Sequence, residues 1–516
     1  MKSEVVYDFI IIGSGMGGLS TACILAKEGF SILVLEKNHQ LGGNLQVFSR
    51  EKRIFDTGVH YVGSLDEGGN LYHYFKYLEI LDNLKLKRLN QECFDLIIFP
   101  DGSKIPYAQG YEQFINTLIQ FFPEEENAIL TFCKKIKEIC LFFPFYNLEI
   151  ESSQNYFSNQ EILEINAAEY IQSLTSNIRL QNVLAGNNLL YAGVKDKTPL
   201  YVLALILNSN LTGSYRFVDG SSQVAKELAK VIRKYGGKIL KHQEVISANY
   251  SEKGFLTNVN CSSGKTFSAK NFISNLHPTL TIDIFGENRF LSAYVKRIKN
   301  LANTQSCFLV QLTLKEKSVK YFNYNLYPYF VDDVWESVNY SGKDWPLSLY
   351  ISASVSSKNK EYIDVLTIMA YMSFEEVEKW SKSKNLAFDK KDRGQEYQEF
   401  KEIKEQQVLK KVIQILPEIK DNILNIYSAT PLTFRDYVGT SNGSCYGILK
   451  NSNFPTSTMI NSKTKIPNLF LTGQNLIFHG ILGTCVGAFV TAFHFVDSKL
   501  LIQKIKNSTV DEKTEL

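Results

Sequence analysis

Gly13, Gly15 and Gly18 stand in the spacing G-x-G-x-x-G, with Gly17 between them, and an acid follows at Glu36. These residue types suit one kind of chemistry, the grip on a pyrophosphate and a ribose. Gly13 permits a tight turn, Gly15 lets backbone approach the phosphates, and Gly18 lets a helix lie close on a strand. The phosphates would rest on the helix N-terminus, where free N–H groups and the helix dipole attract an anion. Glu36 would accept hydrogen bonds from ribose hydroxyls. The glycines alone are a weak signal, and the elements around them make it specific. Phe9–Ile12 is a short apolar run suited to a buried parallel strand. Thr21–Lys27 has helical spacing, Gly29 stands where that helix should stop, and Ser31–Leu35 is a second strand ending at Glu36. Strand, turn, helix, strand and terminal acid together predict a dinucleotide site, for NAD or FAD.

Bulk properties narrow the class. At 516 residues the chain should form two to four structural units, and with 44% hydrophobic and 21% charged residues it has ample core. A net charge of +3, with the basic residues mixed among acids, gives no nucleic-acid footprint. Eight cysteines are spread out without a C-x-x-C pair, as expected of reduced structural thiols in a cytoplasmic protein. Seven histidines form no metal-ligand spacing, so no metal is expected. Met1–Asp8 carries both charge signs and the apolar run after it is short, unlike a signal peptide. Ile466–Val496 lacks charged residues, but its internal Thr472-Gly473-Gln474-Asn475, His479 and glycines read as strand, turn and helix rather than a membrane span.

Further along, Asp101-Gly102 predicts a hairpin between Phe94–Phe99 and Lys104–Tyr107. Residues 110–211 are helical in pattern, clearest at Gln113–Phe122, Glu126–Phe143, Asn166–Ser173 and Pro199–Leu207, with a polar interruption at Tyr146–Asn159. Asp219-Gly220-Ser221-Ser222 reads as a turn and cap before helix Gln223–Tyr235. Lys238–Leu240, Val245–Tyr250, Gly254–Cys261 and Thr266–Ala269 read as a small meander, and Phe272–Ser274 as another strand. Phe308–Lys315, Leu347–Ser354 and Val365–Tyr371 are β-rich, and Glu396–Leu416 is an amphipathic helix.

The pattern E-x5-G-G, formed by Glu36, Gly42 and Gly43, resembles the two-dinucleotide-binding-domain flavoproteins, in which this motif holds FAD. Four further segments extend the resemblance: Phe55–Gly63, Phe272–Pro278 (FISNLHP), Ala429–Thr433 with Gly443 to Gly447, and Leu469–Asn475 with Gly480 to Ala488. Arg393–Tyr397 adds a saturase-like feature. In this order they resemble the phytoene desaturase and carotenoid isomerase family of FAD-dependent oxidoreductases, and within it the retinol saturase-like members. The likeness is thinnest over residues 110–211.

The resemblance implies an α/β fold: a Rossmann-type FAD domain, an interleaved β-sheet substrate domain and a helical lid. The FAD domain would take residues 1–63, 217–290 and 460–502. The substrate domain would take 64–109 and 291–459, and the lid, facing a membrane in one version, 110–216. A charged tail would follow at 503–516. The cofactor contacts implied are Gly13, Gly15, Gly17, Gly18, Glu36, Lys37, Gly42, Gly43, Asn44, Gly58, Val59, Val245, Gly473, Gln474, Asn475, Gly483, Gly487 and Ala488. Two positions depart from the pattern: Asn475 stands where the family often has an acid, and Asn44 where related amine-oxidase-like flavoproteins have arginine. His479 stands where a small residue is expected. By the same analogy His60 and Tyr61 pass beside the flavin ring, where either would give a proton to carbon while hydride arrives from flavin N5.

The function implied is that of an FAD-dependent oxidoreductase acting on C=C bonds of a polyene or isoprenoid lipid, a retinol saturase-like reduction with hydride from flavin N5 and NAD(P)H as a possible donor. A redox-neutral isomerase or a desaturase on the same fold is the alternative. An amine-oxidase-like enzyme and a non-catalytic flavin- and lipid-binding escort are the other classes. The aromatic stretches Phe121-Phe122 and Leu141–Tyr146 suit peripheral membrane contact.

Overall fold

The computed structural model describes residues 5–148, 160–340, 344–386, 389–390 and 393–509. The expected polar interruption at Tyr146–Asn159 therefore lies mostly outside the described residues, as does the end of the charged tail.

The first sheet is built on strand Val6–Ile12, which pairs in parallel with Ile32–Leu35 on one side and Thr266–Ser274 on the other. Ile10–Ile12 and Ile32–Leu35 are buried, since helices cover both faces, which is why they read as continuous apolar runs rather than alternating ones. Lys238–Leu240 extends one edge, and Leu469–Leu471 joins the end of Thr266–Ser274. The register places Ile12, Leu35 and Ser274 side by side, with Leu471 beside Ser274. Four strands thus end level, and the chain leaves them as Gly13, Glu36, Asn275 and Thr472-Gly473. In an open parallel sheet this edge is where ligands bind.

Helix Met16–Lys27 lies against this sheet between helices Ser222–Lys234 and Gly480–Ala492. A Cβ on Gly18 would stand 2.1 Å from the Gly13 carbonyl oxygen, so the helix closes on the turn only because Gly18 has no side chain.

The second sheet runs in the order Ile423–Ala429, Ser306–Leu314, Val365–Met372, Tyr350–Ala353, Asn325–Pro328, Asp95–Ile98 and Lys104–Tyr107. It is antiparallel except where Asn325–Pro328 pairs with Asp95–Ile98. One face packs Val310, Leu312, Leu366 and Ile368 under helix Gln395–Ile415 through Val408 and Val412. The helical block comprises Tyr111–Phe121, Glu126–Leu141, Ala167–Leu174 and Leu200–Leu211, among shorter pieces. Asn166 caps the third of these, its side chain accepting from the Glu169 amide at 3.0 Å.

Several local expectations change. Lys238–Leu240 pairs with Ile32–Leu35 at the far edge of the first sheet and is not part of the meander. Thr266–Ser274 is one strand, because Thr266–Ser268 pairs antiparallel with Asn258–Asn260 and Ser268–Ser274 runs on in parallel with Val6–Ile12. Ser221 precedes helix Ser222–Lys234 but makes no side-chain cap; its hydroxyl donates to Asp56 at 2.7 Å. A boundary at residue 503 would cut helix Ser498–Asn507, whose Ile505 is buried.

Candidate functional site

At the level strand ends lies a cavity of about 400 Å3. It is lined by Gly13, Gly15, Gly17, Glu36, Lys37, Gly42, Gly43, Asn44, Gly58, Val59, Val245, Gly473, Gln474 and Asn475 of the residues implied by sequence, together with His60. The geometry is that of a phosphate cradle. Gly15 precedes the first turn of helix Met16–Lys27 in extended conformation, and Gly42 and Gly43 pass directly beneath it, a Cβ on Gly43 falling 3.3 Å from the Gly15 Cα. The Asn275 side chain fills the space the glycines leave: a Cβ would meet its amide at 2.8 Å from Gly15, 2.7 Å from Gly17 and 2.5 Å from Gly473.

Glu36 is held ready. Its Oε2 accepts from the Ser14 amide at 2.9 Å and hydroxyl at 2.5 Å, and its Oε1 accepts from the Asn38 amide at 2.8 Å. Oε2 is filled by its two donors, and Oε1 keeps a lone pair for a ribose hydroxyl. Lys37 donates to the Asp436 carbonyl at 2.9 Å and Asn38 to the Tyr437 carbonyl at 3.0 Å, which fastens helix Pro431–Val438 across this end of the cavity. These donor and acceptor sets fit a dinucleotide.

Other implied residues have different places. Gly18 serves packing and does not line the cavity. Gly483 lines a second cavity, where a Cβ would press on Phe478 at 2.4 Å. Gly487 and Ala488 line neither cavity; Gly487 faces the Gly473 carbonyl and Ala488 is buried where the helix crosses Met16–Lys27. Asn475 lines the first cavity, yet its carboxamide oxygen accepts from the Ile448 amide at 3.1 Å and crowds Gly447. It serves the loop rather than offering that oxygen to a ligand.

The second cavity, of about 200 Å3, is walled by Leu205, Ile206, Ile477, Phe478 and Leu482, with Tyr61 and Tyr350 at one side. It shares Gly58, Val59, His60, Met369, Tyr446, Gly480 and Ile481 with the first. His60 stands at this junction, its ring stacked on Tyr350 at 5.5 Å. Burial, with Arg216 nearby, holds its pKa down to about 4. His60 is therefore a neutral imidazole at pH 7. Tyr61, the next residue, lines the second cavity and not the first; its hydroxyl donates to Asp95 at 2.9 Å and meets the Tyr327 hydroxyl at 2.7 Å. His479 precedes helix Gly480–Ala492, packs against Tyr446 at 4.9 Å, and leaves Nε2 buried without a hydrogen-bond partner. Burial lowers its pKa to about 4 as well.

These histidines give a pH signature. An imidazole whose folded pKa lies below its unfolded value of 6.5 favours folding fully above pH 6.5, and loses that contribution as pH falls towards 4. Over that window the wild type should lose thermal stability relative to His60→Gln, by at most about 3 kcal/mol. Parallel melting curves of the two proteins at pH 7, 5.5 and 4 check this; a constant difference contradicts the buried neutral ring.

Sequence reasoning missed Met369, Tyr446 and Asp95, which come from the second sheet and its loops, where no spacing links them to the glycine motif. Asn275 was visible only as part of a motif, although its position just past a strand end was a usable signal. Among the described residues there is no cluster able to hold a metal, and no helix long and apolar enough to cross a membrane.

Residues 11–78 match the model for an NAD(P)-binding Rossmann-like domain. The all-trans-retinol 13,14-reductase of Rattus norvegicus is 26% identical, covering 93% of this chain and 84% of that protein. Prolycopene isomerase 2 of an Oncidium hybrid cultivar is 29% identical over 52% of this chain and 48% of its own. The chain is a homologue of these enzymes. A Danio rerio relative at 25% identity over 98% of the chain is named an inactive all-trans-retinol 13,14-reductase. Among solved structures, putrescine oxidase superposes with a TM-score of 0.61 at 11% identity, covering 95% of this chain and 99% of the other, a likeness of fold.

Proposed function

We propose that this protein is an FAD-dependent oxidoreductase acting on C=C bonds of a polyene or isoprenoid lipid, as the retinol 13,14-reductases act on all-trans-retinol. The observation that carries this reading is the meeting of the two cavities at His60. One is built for a dinucleotide and the other is apolar, and they share one wall. When bound, FAD supplies hydride chemistry at carbon, which no side chain can provide. The glycine cradle would hold its pyrophosphate, Glu36 its ribose and the strand leading from Val245 its adenine end. The second cavity would grip an uncharged chain through buried apolar area, at roughly 25 cal/mol per Å2. Its walls would fix which double bond lies at the junction.

The test is to supply the purified, FAD-loaded protein with a panel of polyenes and either a reduced donor or, in parallel, an electron acceptor, and to weigh the products. A gain of two mass units means saturation and a loss of two means desaturation. An altered retention time at equal mass means isomerisation, the reading favoured by the prolycopene isomerase relative. Bound lipid with no product, and flavin that NAD(P)H and dithionite both fail to reduce, would sink the enzymatic reading in favour of an escort.

Peripheral membrane contact is part of this proposal. Phe121, Leu130, Leu141 and Phe142 are exposed on helices Tyr111–Phe121 and Glu126–Leu141 and the turn after them, near Lys134, Lys135 and Lys137. The adjoining Phe143–Tyr146 line a small apolar opening that shares Tyr146, Ile477 and Phe478 with the second cavity. An apolar patch with cations beside it suits the interface of a bilayer. Protein should float with liposomes, more so with anionic lipid, and Phe142→Ser with Leu141→Ser should reduce flotation; protein that stays wholly in the aqueous fraction contradicts the contact.

A further inference from the structure

Behind Tyr61 lies a polar cluster that the dinucleotide site does not use. Asp95, at the start of strand Asp95–Ile98, is fully buried. Its Oδ2 accepts from Tyr61 at 2.9 Å and its Oδ1 from the Asn325 amide at 2.8 Å. Asn325 Oδ1 in turn accepts from Arg216 Nη2 at 2.7 Å and from Tyr350 at 3.1 Å. Arg216 is itself buried, and also donates to Tyr321 at 2.8 Å and to the Tyr324 carbonyl at 2.7 Å. Acid and guanidinium therefore do not touch. One carboxamide separates them, so Asp95 lacks the direct ion pair that would fix it as a carboxylate.

We propose that Asp95 is a positioning and proton-supplying residue that acts through Tyr61, so that its protonation decides where the Tyr61 hydroxyl proton points. The argument follows from donors and acceptors. An ionised Asp95 only accepts, which ties the Tyr61 proton to its Oδ2. A protonated Asp95 donates instead. Asn325 holds Oδ1 as an acceptor, so the acid proton sits on Oδ2 and is given to the Tyr61 oxygen. The Tyr327 hydroxyl, 2.7 Å away, donates to the remaining lone pair of the Tyr61 oxygen, which leaves the Tyr61 proton to point to the second cavity, which Tyr61 lines. In one turnover Tyr61 gives its proton to the substrate carbon and receives that of Asp95. Asp95 ends as a carboxylate and regains a proton from solvent before the next. The hydride that completes the addition belongs to the cofactor chemistry proposed above, and the catalytic part of this inference rests on that reading.

The surroundings fit a group that changes state near neutrality. Burial pushes the Asp95 pKa up to about 7, against the hydrogen bonds from Asn325 and Tyr61 and the charge of Arg216. The titratable groups facing it are Tyr61 from the loop after strand Arg53–Asp56, Tyr107 from the neighbouring strand, Tyr327 and Tyr329 beyond Asn325, Tyr350 from the next strand, and Cys93 from its own approach. Burial holds all of these neutral at pH 7, so the charge that responds is that of Asp95.

Asp95→Asn is the decisive variant. With its oxygen on Asn325, the new amide donates to Tyr61 as the protonated acid does, but it has no proton to give up. In wild type, kcat should fall as pH rises through about 7. In Asp95→Asn that limb should vanish and kcat below pH 7 should drop about tenfold, with KM and bound flavin unchanged. A limb retained in Asp95→Asn overturns the proposal. Infrared titration of the flavin-loaded protein gives a readout independent of turnover. A protonated carboxyl band lost near pH 7 should be absent from Asp95→Asn and should persist to higher pH in Tyr61→Phe, which removes a donor to the carboxylate. A band unmoved by Tyr61→Phe overturns the coupling. No product from any polyene with wild type would instead count against the proposed function, while the infrared result still decides on Asp95.

Discussion

Gly15→Val is expected to give a folded, colourless protein. Gly15 is the residue before the first turn of helix Met16–Lys27, so its backbone is the surface a pyrophosphate would approach. Even a Cβ there would stand 2.8 Å from the Asn275 side chain, and valine adds two methyl groups in the same direction. Asn275 has little room to retreat, because Gly17 and Gly473 press on it from other sides. The sheet beneath is undisturbed, since Val6–Ile12 makes its ladders before the turn begins. We expect flavin content to fall below about a tenth of wild type, which equals more than about 1.4 kcal/mol of binding. Circular dichroism should change little. Absorbance near the flavin maximum, read against protein concentration after desalting, is the measurement. A folded variant with full flavin would place the phosphates elsewhere.

The second large effect is expected at the junction of the cavities. His60→Ala or Tyr61→Phe should lower turnover by about 100-fold or more if that residue delivers the proton. Flavin should stay bound in both, because neither side chain supports the glycine cradle. The two variants should differ in their pH behaviour. His60 is neutral above about pH 4, so it has no charge to lose near neutrality, and any limb near pH 7 must come from elsewhere. Tyr61 is linked to Asp95, so removing its hydroxyl should remove that limb together with the rate. Unchanged turnover in both variants would assign the proton to water or another residue, and would leave the shared cavity wall intact as a structural fact.

The dinucleotide end was legible in the sequence because its parts are contiguous. Gly13, Gly15, Gly18 and Glu36 fall within one strand-turn-helix-strand unit, and local spacing carries the whole geometry. The end at His60 was legible only by resemblance. Tyr61, Asp95, Asn325 and Tyr350 lie on separate strands of the second sheet and a loop against it, and their meeting depends on register, which no local pattern records. Gly487 and Ala488, which line neither cavity, show a related limit. A small residue on a helix signals close approach, but not whether a ligand or another helix approaches. Ser221 shows the same limit, since a serine before a helix can cap it or serve a buried acid, and here Asp56 takes its hydroxyl.

The parallel sheet carries a consequence for the making of the protein. Its central strand, Val6–Ile12, leaves the ribosome long before Leu469–Leu471, the strand beside Ser274. Gly13, Asn275 and Gly473 become one surface only when all three stretches have met. Pairings so distant in sequence are slow to form and leave apolar strand edges unpaired in the meantime. A nascent chain halted before residue 469 lacks one wall of its cofactor site, whatever the state of its glycine motif. Cofactor capture during synthesis thus reports that the distant segments have come together, and cofactor supply should influence how much of this protein escapes aggregation.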